Sequence, residues 1–263
     1  MIYKRQDGVP EFECHEFSEK EKEYVLLIPV INEGERIKTE LRRAKENRVF
    51  DYADIVICDG GSKDGSVDHS SLIQSGVNTL LVKTDIGKQG AQLRMGIWWA
   101  LRRGYKGIIT VDGNNKDSIE NTPLFIEKLK QGYDFVQGSR FIAGGKAVNT
   151  PLKRLLAVKL IHAPVISLTA GYRFTDTTNN FRAYSSAYLE DPKVAPLREC
   201  FMTYELLAFL STRAAQLGRK VCEVPVTRAY PDCEKVPTKI KGIKGDGELM
   251  KILLLNMLGK YNP

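Results

Sequence analysis

Hydrophobic residues cluster in short unbroken runs along the first half of the chain. The first run is Tyr24-Val-Leu-Leu-Ile-Pro-Val30, followed by Asp54-Ile-Val-Ile-Cys58, Thr79-Leu-Leu-Val82, Gly107-Ile-Ile-Thr-Val111 and Asp134 to Gln137. Between them lie segments of helical periodicity: about Glu33 to Asn47, Asp64 to Ser75, Gln89 to Arg103 and Ile119 to Gln131. Apolar runs without polar alternation, spaced by helices, predict a mostly parallel sheet covered by helices on both faces. In the second half, Lys153 to Leu168 predicts one or two helices broken near Pro164. Tyr204 to Leu217 predicts a helix and Lys220 to Val226 a strand. A Lys/Gly/Pro stretch from Pro231 to Gly247 reads as a mobile loop, and Glu248 to Leu258 as a last, amphipathic helix. Residues 1–22 are polar and mixed in charge, and read as an N-terminal extension before a domain spanning 23–230, with 231–263 as a basic tail.

Open parallel sheets bind ligands at the carboxyl ends of their strands. Three such ends carry polar or glycine-rich residues: Pro29 to Glu33, Asp59 to Asp64 and Asp112 to Asp117. Asn32 and Glu33 can bond a ribose or a base edge, or simply start a helix. Asp59 can accept from a base N–H, and Gly60 and Gly61 allow a ligand to approach the backbone; the bland alternative is a capped turn. A strand-end Asp-x-Asp holds a divalent cation through oxygen ligands. Here the pair is Asp112 and Asn114, and an amide oxygen brings no charge. Arg140 and Arg182 are candidates for phosphate forks or for structural ion pairs. No Gly-x-Gly-x-x-Gly follows the first strand and no Walker sequence is present, which excludes the dinucleotide and P-loop patterns.

Composition changes the picture only modestly. The 263 residues include 39 Lys+Arg and 32 Asp+Glu, a net charge of +7, with 43% hydrophobic residues. Such a chain buries about three quarters of its unfolded surface and needs no staple. The five cysteines are odd in number and form no Cys-x-x-Cys pair, which argues against a zinc site or a disulfide framework and for a reducing cytosol. No signal peptide is evident. The longest apolar segment, Leu155 to Gly171, is interrupted by Lys159, His162 and Pro164 and falls short of the roughly 18–20 apolar residues of a membrane span. The basic excess admits phosphorylated, membrane or nucleic-acid partners, but the basic residues do not interleave with aromatics in any nucleic-acid module pattern.

Taken in order, Pro29-x-x-Asn32-Glu33, Asp59-Gly-Gly-Ser62-x-Asp64-Gly65, Asp112, Gly138-Ser-Arg-Phe141, Asp176-x-Thr-x-x-Phe-Arg182-x-Tyr184 and Glu223-Val-Pro-Val226 resemble family 2 glycosyltransferases, within them the dolichol/polyprenyl-phosphate mannose synthase group. The resemblance covers about residues 24 to 240. It implies a GT-A nucleotide-sugar-binding fold and inverting sugar transfer from a nucleotide sugar. It places Pro29, Asn32, Glu33, Asp59 and Gly61 at the donor nucleotide, and Asp112 and Asn114 in the positions of an Mg²⁺ or Mn²⁺ site. Arg140 and Arg182 would face the diphosphate and acceptor phosphate, and Glu205 falls where relatives present a catalytic carboxylate.

Several residues depart from the family's pattern. One acid before Gly-Ser is lost at Gly60, the second acid of Asp-x-Asp is Asn114, and the frequent Gln two residues on is Lys116. The last two changes shift the local charge by about +2, so the site should hold a divalent cation weakly. Lys116 then either sits near the donor diphosphate in part of the metal's role, or points to solvent while Asn114 ligates. A polyprenyl-phosphate acceptor needs no general base, only positioning cations and a membrane-facing surface. Candidates for that surface are Arg140, Lys146, Lys153, Arg154 and Lys159 beside Leu155–Leu168, and Lys235, Lys239, Lys241 and Lys244 before the last helix. Lys235 is also a candidate substrate-binding residue. A saccharide hydroxyl, as in cell-surface polysaccharide synthesis, would instead need a base, Glu205 or Asp176. A third alternative is a catalytically weakened nucleotide-sugar-binding protein. The expected location is cytoplasmic, at the inner face of a membrane if the acceptor is a lipid.

Overall fold

The computed structural model describes residues 1–231 and 242–263, with the side chains of 242–244 excepted. Eleven strands form in the described residues: β1 (Ile2–Tyr3), β2 (Phe12–Glu16), β3 (Tyr24–Val30), β4 (Asp54–Asp59), β5 (Thr79–Lys83), β6 (Gly107–Thr110), β7 (Phe135–Ser139), β8 (Lys146–Val148), β9 (Arg182–Ser185), β10 (Val221–Pro225) and β11 (Thr227–Ala229). The α-helices are α1 (Glu35–Glu46), α2 (His69–Ser75), α3 (Gln89–Arg102), α4 (Thr122–Lys130), α5 (Leu152–Ala157), α6 (Ala163–Ala170), α7 (Ser186–Leu189), α8 (Glu205–Gln216) and α9 (Gly242–Met257).

Nine strands make one sheet in the order β1-β2-β5-β4-β3-β6-β9-β7-β10, and β8 pairs with β11 in a separate ribbon. The central strands β5, β4, β3 and β6 are parallel, as their apolar runs predict. Successive residues of β3 serve opposite faces. Val25 and Leu27 join a core with Leu93, Trp98 and Phe209 from α3 and α8. Leu26 and Ile28 join a second core with Ile37, Leu41 and Phe125 from α1 and α4. This is the two-faced burial that makes the strands read as unbroken apolar runs. Gly96 lets α3 lie close on the sheet, because a Cβ there would stand 2.6 Å from Cys58 Sγ.

The structure corrects the sequence reading in four places. Residues 1–22 are not a bare extension: β2 adds antiparallel to β5 and buries Phe12 and Cys14. Their period-2 spacing marks a strand, between β1 and β5, whose other face is polar, and the charged neighbours mask it. The sheet is mixed rather than mostly parallel, since β9 enters antiparallel between β6 and β7, and half of the main-sheet pairings are antiparallel. Pro164 does not break its segment. A π-helical turn, Val158–His162, joins α5 to α6 and absorbs the missing N–H and the ring's clash with the preceding turn. The last helix starts at Gly242 rather than near 248, and Lys235, Lys239 and Lys241 of the expected basic loop lie outside the described residues.

Candidate active site

The loops that follow β3, β4 and β6 meet at the carboxyl edge of the parallel strands, tied by side chains the local sequence supplies. Asn32, at φ +50°, donates its backbone N–H to Ser62 Oγ (2.9 Å) and accepts from the Lys63 N–H (2.9 Å). Ser66 Oγ takes the N–H groups of Glu33 (2.9 Å) and Gly34 (2.7 Å). Gln92 of α3 bridges the strand ends, donating to the carbonyls of Val30 and Cys58, both at 2.7 Å.

Asp59 was expected at a base edge, and its buried carboxylate instead holds its own turn. It accepts from the N–H groups of Gly61 (2.7 Å) and Ser62 (2.9 Å) and from Ser62 Oγ (2.5 Å). Gly61 makes that turn possible at φ +94°. Glu33 pairs with Arg36 at 2.8 Å, and Pro29 is buried within β3. These residues build a rigid loop platform rather than a row of unpaired ligating groups.

Asp112 is the centre of the arrangement. Gln89 Nε2 donates to its Oδ1 (2.8 Å), and Arg228 Nη2 lies 3.4 Å from its Oδ2. Asn114 Nδ2 faces the same Oδ2 at 3.5 Å, at the margin of a hydrogen bond. Gly113 between them is required by packing, since a Cβ there would stand 2.9 Å from Val30 Cγ2. Arg228 also pairs with the buried Asp117. The chain delivers Arg228 through a short ladder: Ser118 N–H donates to Thr227 O (2.9 Å), and Ala229 N–H donates to Lys116 O (2.8 Å).

Two residues beyond Arg228, Tyr230 collects cations. Arg154 Nη1 donates to its hydroxyl (3.1 Å), Lys116 Nζ stands 5.3 Å from its ring centroid, and the Arg228 guanidinium 5.8 Å. Burial alone would raise the Tyr230 phenol, yet Arg228 and Arg154 bring it below the ordinary tyrosine range. Burial pushes the Lys116 ammonium down, and Arg228 adds to this. Burial disfavours the charge on Arg228, but Asp117 and Asp112 outweigh it and hold the guanidinium firmly protonated. Lys116 is therefore a buried member of a cation cluster, and the solvent-facing alternative is overturned.

The other expected catalytic groups are differently engaged. Arg140 spends its fork on Asp176, with Nε to Oδ2 at 2.6 Å and Nη2 to Oδ1 at 2.9 Å, in a pair almost completely removed from solvent. Its Nη1 is buried with no partner among the described residues. Burial would raise the Asp176 carboxyl, but the bonds from Arg140 hold it below the usual range. Arg182 faces no open site. Its guanidinium donates to the carbonyls of Leu207 (2.6 Å), Thr177 (2.8 Å) and Asn179 (3.0 Å) and to Ser211 Oγ (2.8 Å), pinning the Asp176 loop to α8. Glu205 turns back on Thr203, accepting its N–H (2.5 Å) and its hydroxyl (2.8 Å) at the start of α8, where a carboxylate favours the helix dipole. Lys235 lies outside the described residues.

Gln89, Arg228 and Tyr230 were not singled out from the sequence. Arg228 and Tyr230 carried a signal nonetheless: they sit two apart directly after the Glu223-Val-Pro-Val226 strand, and so share one face of an extended segment.

A divalent cation of the kind the resemblance implies fits these residues poorly. Of the pair at the Asp-x-Asp positions only Asp112 is charged, and both its oxygens already face donors of the chain. Asn114 Oδ1 is buried without a partner among the described residues, but it is a single neutral oxygen. Among the described residues no group of three His, Cys, Asp or Glu side chains could hold a metal.

No protein-family model matches the chain. It is 28% identical over 206 residues to an undecaprenyl-phosphate mannosyltransferase of Micrococcus luteus, covering 77% of this chain and 82% of that protein. It is 27% identical over 241 residues to a polyprenol monophosphomannose synthase of Mycolicibacterium smegmatis, covering 90% and 88%. Among solved structures, glucosyl-3-phosphoglycerate synthase from Mycobacterium tuberculosis, crystallised with Mn²⁺, UDP and phosphoglyceric acid, superposes with a TM-score of 0.64 at 15% identity, over 90% of this chain and 78% of that one. Fold and sequence relatives together define the class as a glycosyltransferase with the GT-A fold. Within that class, the two sequence relatives stand in the polyprenyl-phosphate mannose synthase group that the motif series resembles.

Proposed function

We propose that this enzyme transfers a sugar, with inversion, from a nucleotide-diphosphate sugar to a polyprenyl phosphate. The observation that carries the proposal is the position of Arg154. From the short helix α5 its guanidinium reaches Tyr230 in the cation cluster beside Asp112, while Leu152 and Leu156 of the same helix are exposed. In this reading the acceptor phosphate meets the cation cluster while its lipid tail lies along that apolar face. The face continues through Leu160 and Leu168, and α9, which packs against α6, adds exposed Met250, Leu254 and Met257. No helix among the described residues is long and apolar enough to cross a membrane. A face of this kind suits peripheral docking at the cytoplasmic leaflet, with the basic residues near anionic headgroups.

In this mechanism the acceptor phosphate is already an anion. One of its oxygens attacks the anomeric carbon from the side opposite the leaving group. The anomeric C–O bond to the nucleoside diphosphate breaks, its electron pair leaves with the diphosphate oxygen, and the configuration inverts. The protein orients the two anions and stabilises the charge that grows on the leaving group. The proposal assigns that work to Arg154, Lys116 and the remaining N–H of Arg140, and the nucleoside to the Asn32–Ser62–Lys63 platform.

The alternative with a saccharide hydroxyl acceptor loses its base candidates, because Asp176 is locked in a buried ion pair and Glu205 in a local cap. A thermal-shift screen of GDP-, UDP- and CDP-sugars, followed by transfer to polyprenyl phosphate in detergent, tests the reading. Radiolabel recovered in a lipid-extractable product is the expected result. Transfer to saccharides only, or binding with no turnover, would refute it.

A further inference from the structure

The charge arrangement around Asp112 has a specific consequence. An Asp-x-Asp loop brings two negative charges, which a divalent cation cancels before an anionic diphosphate can approach. In this chain the same loop and its partner strand already hold two carboxylates, Asp112 and Asp117, and two cations, Arg228 and Lys116, all near-buried apart from the edge of Asp112. The sum is zero, the value the metal-loaded loop would have. Position matters as well as sum. Arg228 faces Asp112 Oδ2, an oxygen a metal would need, and is anchored there by Asp117 and by the 116–118 to 227–229 ladder. Gln89 covers the other oxygen.

We propose that the donor site of this chain works without a divalent cation: Arg228, fixed against Asp112 by Asp117, takes the cation's place at the carboxylate, and Lys116 adds the second positive charge toward the diphosphate. The inference rests on the nucleotide-sugar reading above. It also accounts for both departures at once. Asn114 cannot be a second acid, because an added carboxylate would leave the loop with a net negative charge facing a diphosphate. Lys116 replaces a neutral residue because the loop has no divalent ion to supply that charge. Fixed guanidinium and ammonium groups in a half-dry site stabilise phosphate oxygens without reorganisation, as a metal does.

The test is isothermal titration of the full chain with GDP, UDP and CDP, in excess EDTA and in Mn²⁺. The affinity for the preferred nucleotide should agree within about twofold between the two conditions. The variant Asn114→Asp with Lys116→Gln, which leaves Arg228 and its buried partner intact, should lose roughly tenfold or more in EDTA and stay as weak in Mn²⁺, because Arg228 and Gln89 still cover the Asp112 oxygens a metal would need. A wild-type affinity that falls about tenfold in EDTA and returns with Mn²⁺ would overturn the metal-free site while leaving the glycosyltransferase reading standing. A double variant that binds as tightly as wild type in EDTA would overturn the part assigned to Asn114 and Lys116, and one whose loss Mn²⁺ repairs would overturn the part assigned to Arg228. No binding of any of the three nucleotides in either condition would overturn the nucleotide-sugar reading itself, and the proposal with it.

Discussion

Replacing Asp176 by Asn separates a structural from a purely ligand-binding role for Arg140. In the wild type the Asp176 carboxylate accepts both arms of Arg140, at 2.6 and 2.9 Å, and the Asn179 side-chain amide at 3.0 Å, out of contact with water. Asn keeps the shape but removes the charge and one acceptor, leaving a buried guanidinium uncompensated. Breaking one side of a buried pair costs about 3–5 kcal/mol. For a chain of this size each kcal/mol moves Tm by roughly 2–4 °C, so the variant should melt about 6–20 °C lower. The pH dependence gives a second readout. Because Arg140 holds the folded carboxyl below its ordinary value, its contribution is fully present above the unfolded pKa of about 3.9 and disappears as pH falls through the lower folded value. Thermal unfolding followed by circular dichroism from neutral pH down to about pH 3 should therefore show the two proteins converging at the acid end. A neutral-pH Tm within about 2 °C of wild type would refute the reasoning and return Arg140 to the role of a pure phosphate ligand.

Three further outcomes follow from the same geometry. Arg182→Met should cost about 3 kcal/mol or more, because it strips donors from three buried carbonyls, and should leave the donor KM of the folded fraction unchanged; a raised KM at unchanged Tm would contradict this. Glu40 is buried on α1 and, among the described residues, accepts only the Asn115 N–H, so burial holds its carboxyl well above the usual range. The folded state then keeps a proton that the unfolded state releases above about pH 4.3, so wild-type stability should decline as pH rises from there, and Glu40→Gln should flatten that decline in urea titrations at several pH values. Replacing Leu152, Leu156 and Leu160 by Ser should abolish co-sedimentation with anionic vesicles while leaving Tm nearly unchanged, since each exposed leucine offers about 1.5–3 kcal/mol of transfer free energy to a membrane and little to the fold.

The sequence alone was sufficient for features that depend on near neighbours. Unbroken apolar runs between helical segments located β3 to β7 and the helices that cover them, because burial on both faces leaves no room for polar residues along such a strand. The glycine- and Asp-rich turns at strand ends marked the edge where the candidate site lies for a similarly local reason: the chain reverses there, and such residues readily take the backbone conformations required. The order of the motifs pointed to the enzyme class that the relatives also indicate. Partner choice was decided by the tertiary structure. Arg140 meets an acid 36 residues away, Arg182 a carbonyl 25 residues on, and Arg228 an aspartate 116 residues back. An arginine reads identically in a sequence whether it awaits a phosphate or closes a buried ion pair, because its role is set by which oxygens the topology brings within 3–4 Å, in a medium too dry to leave its charge unmet.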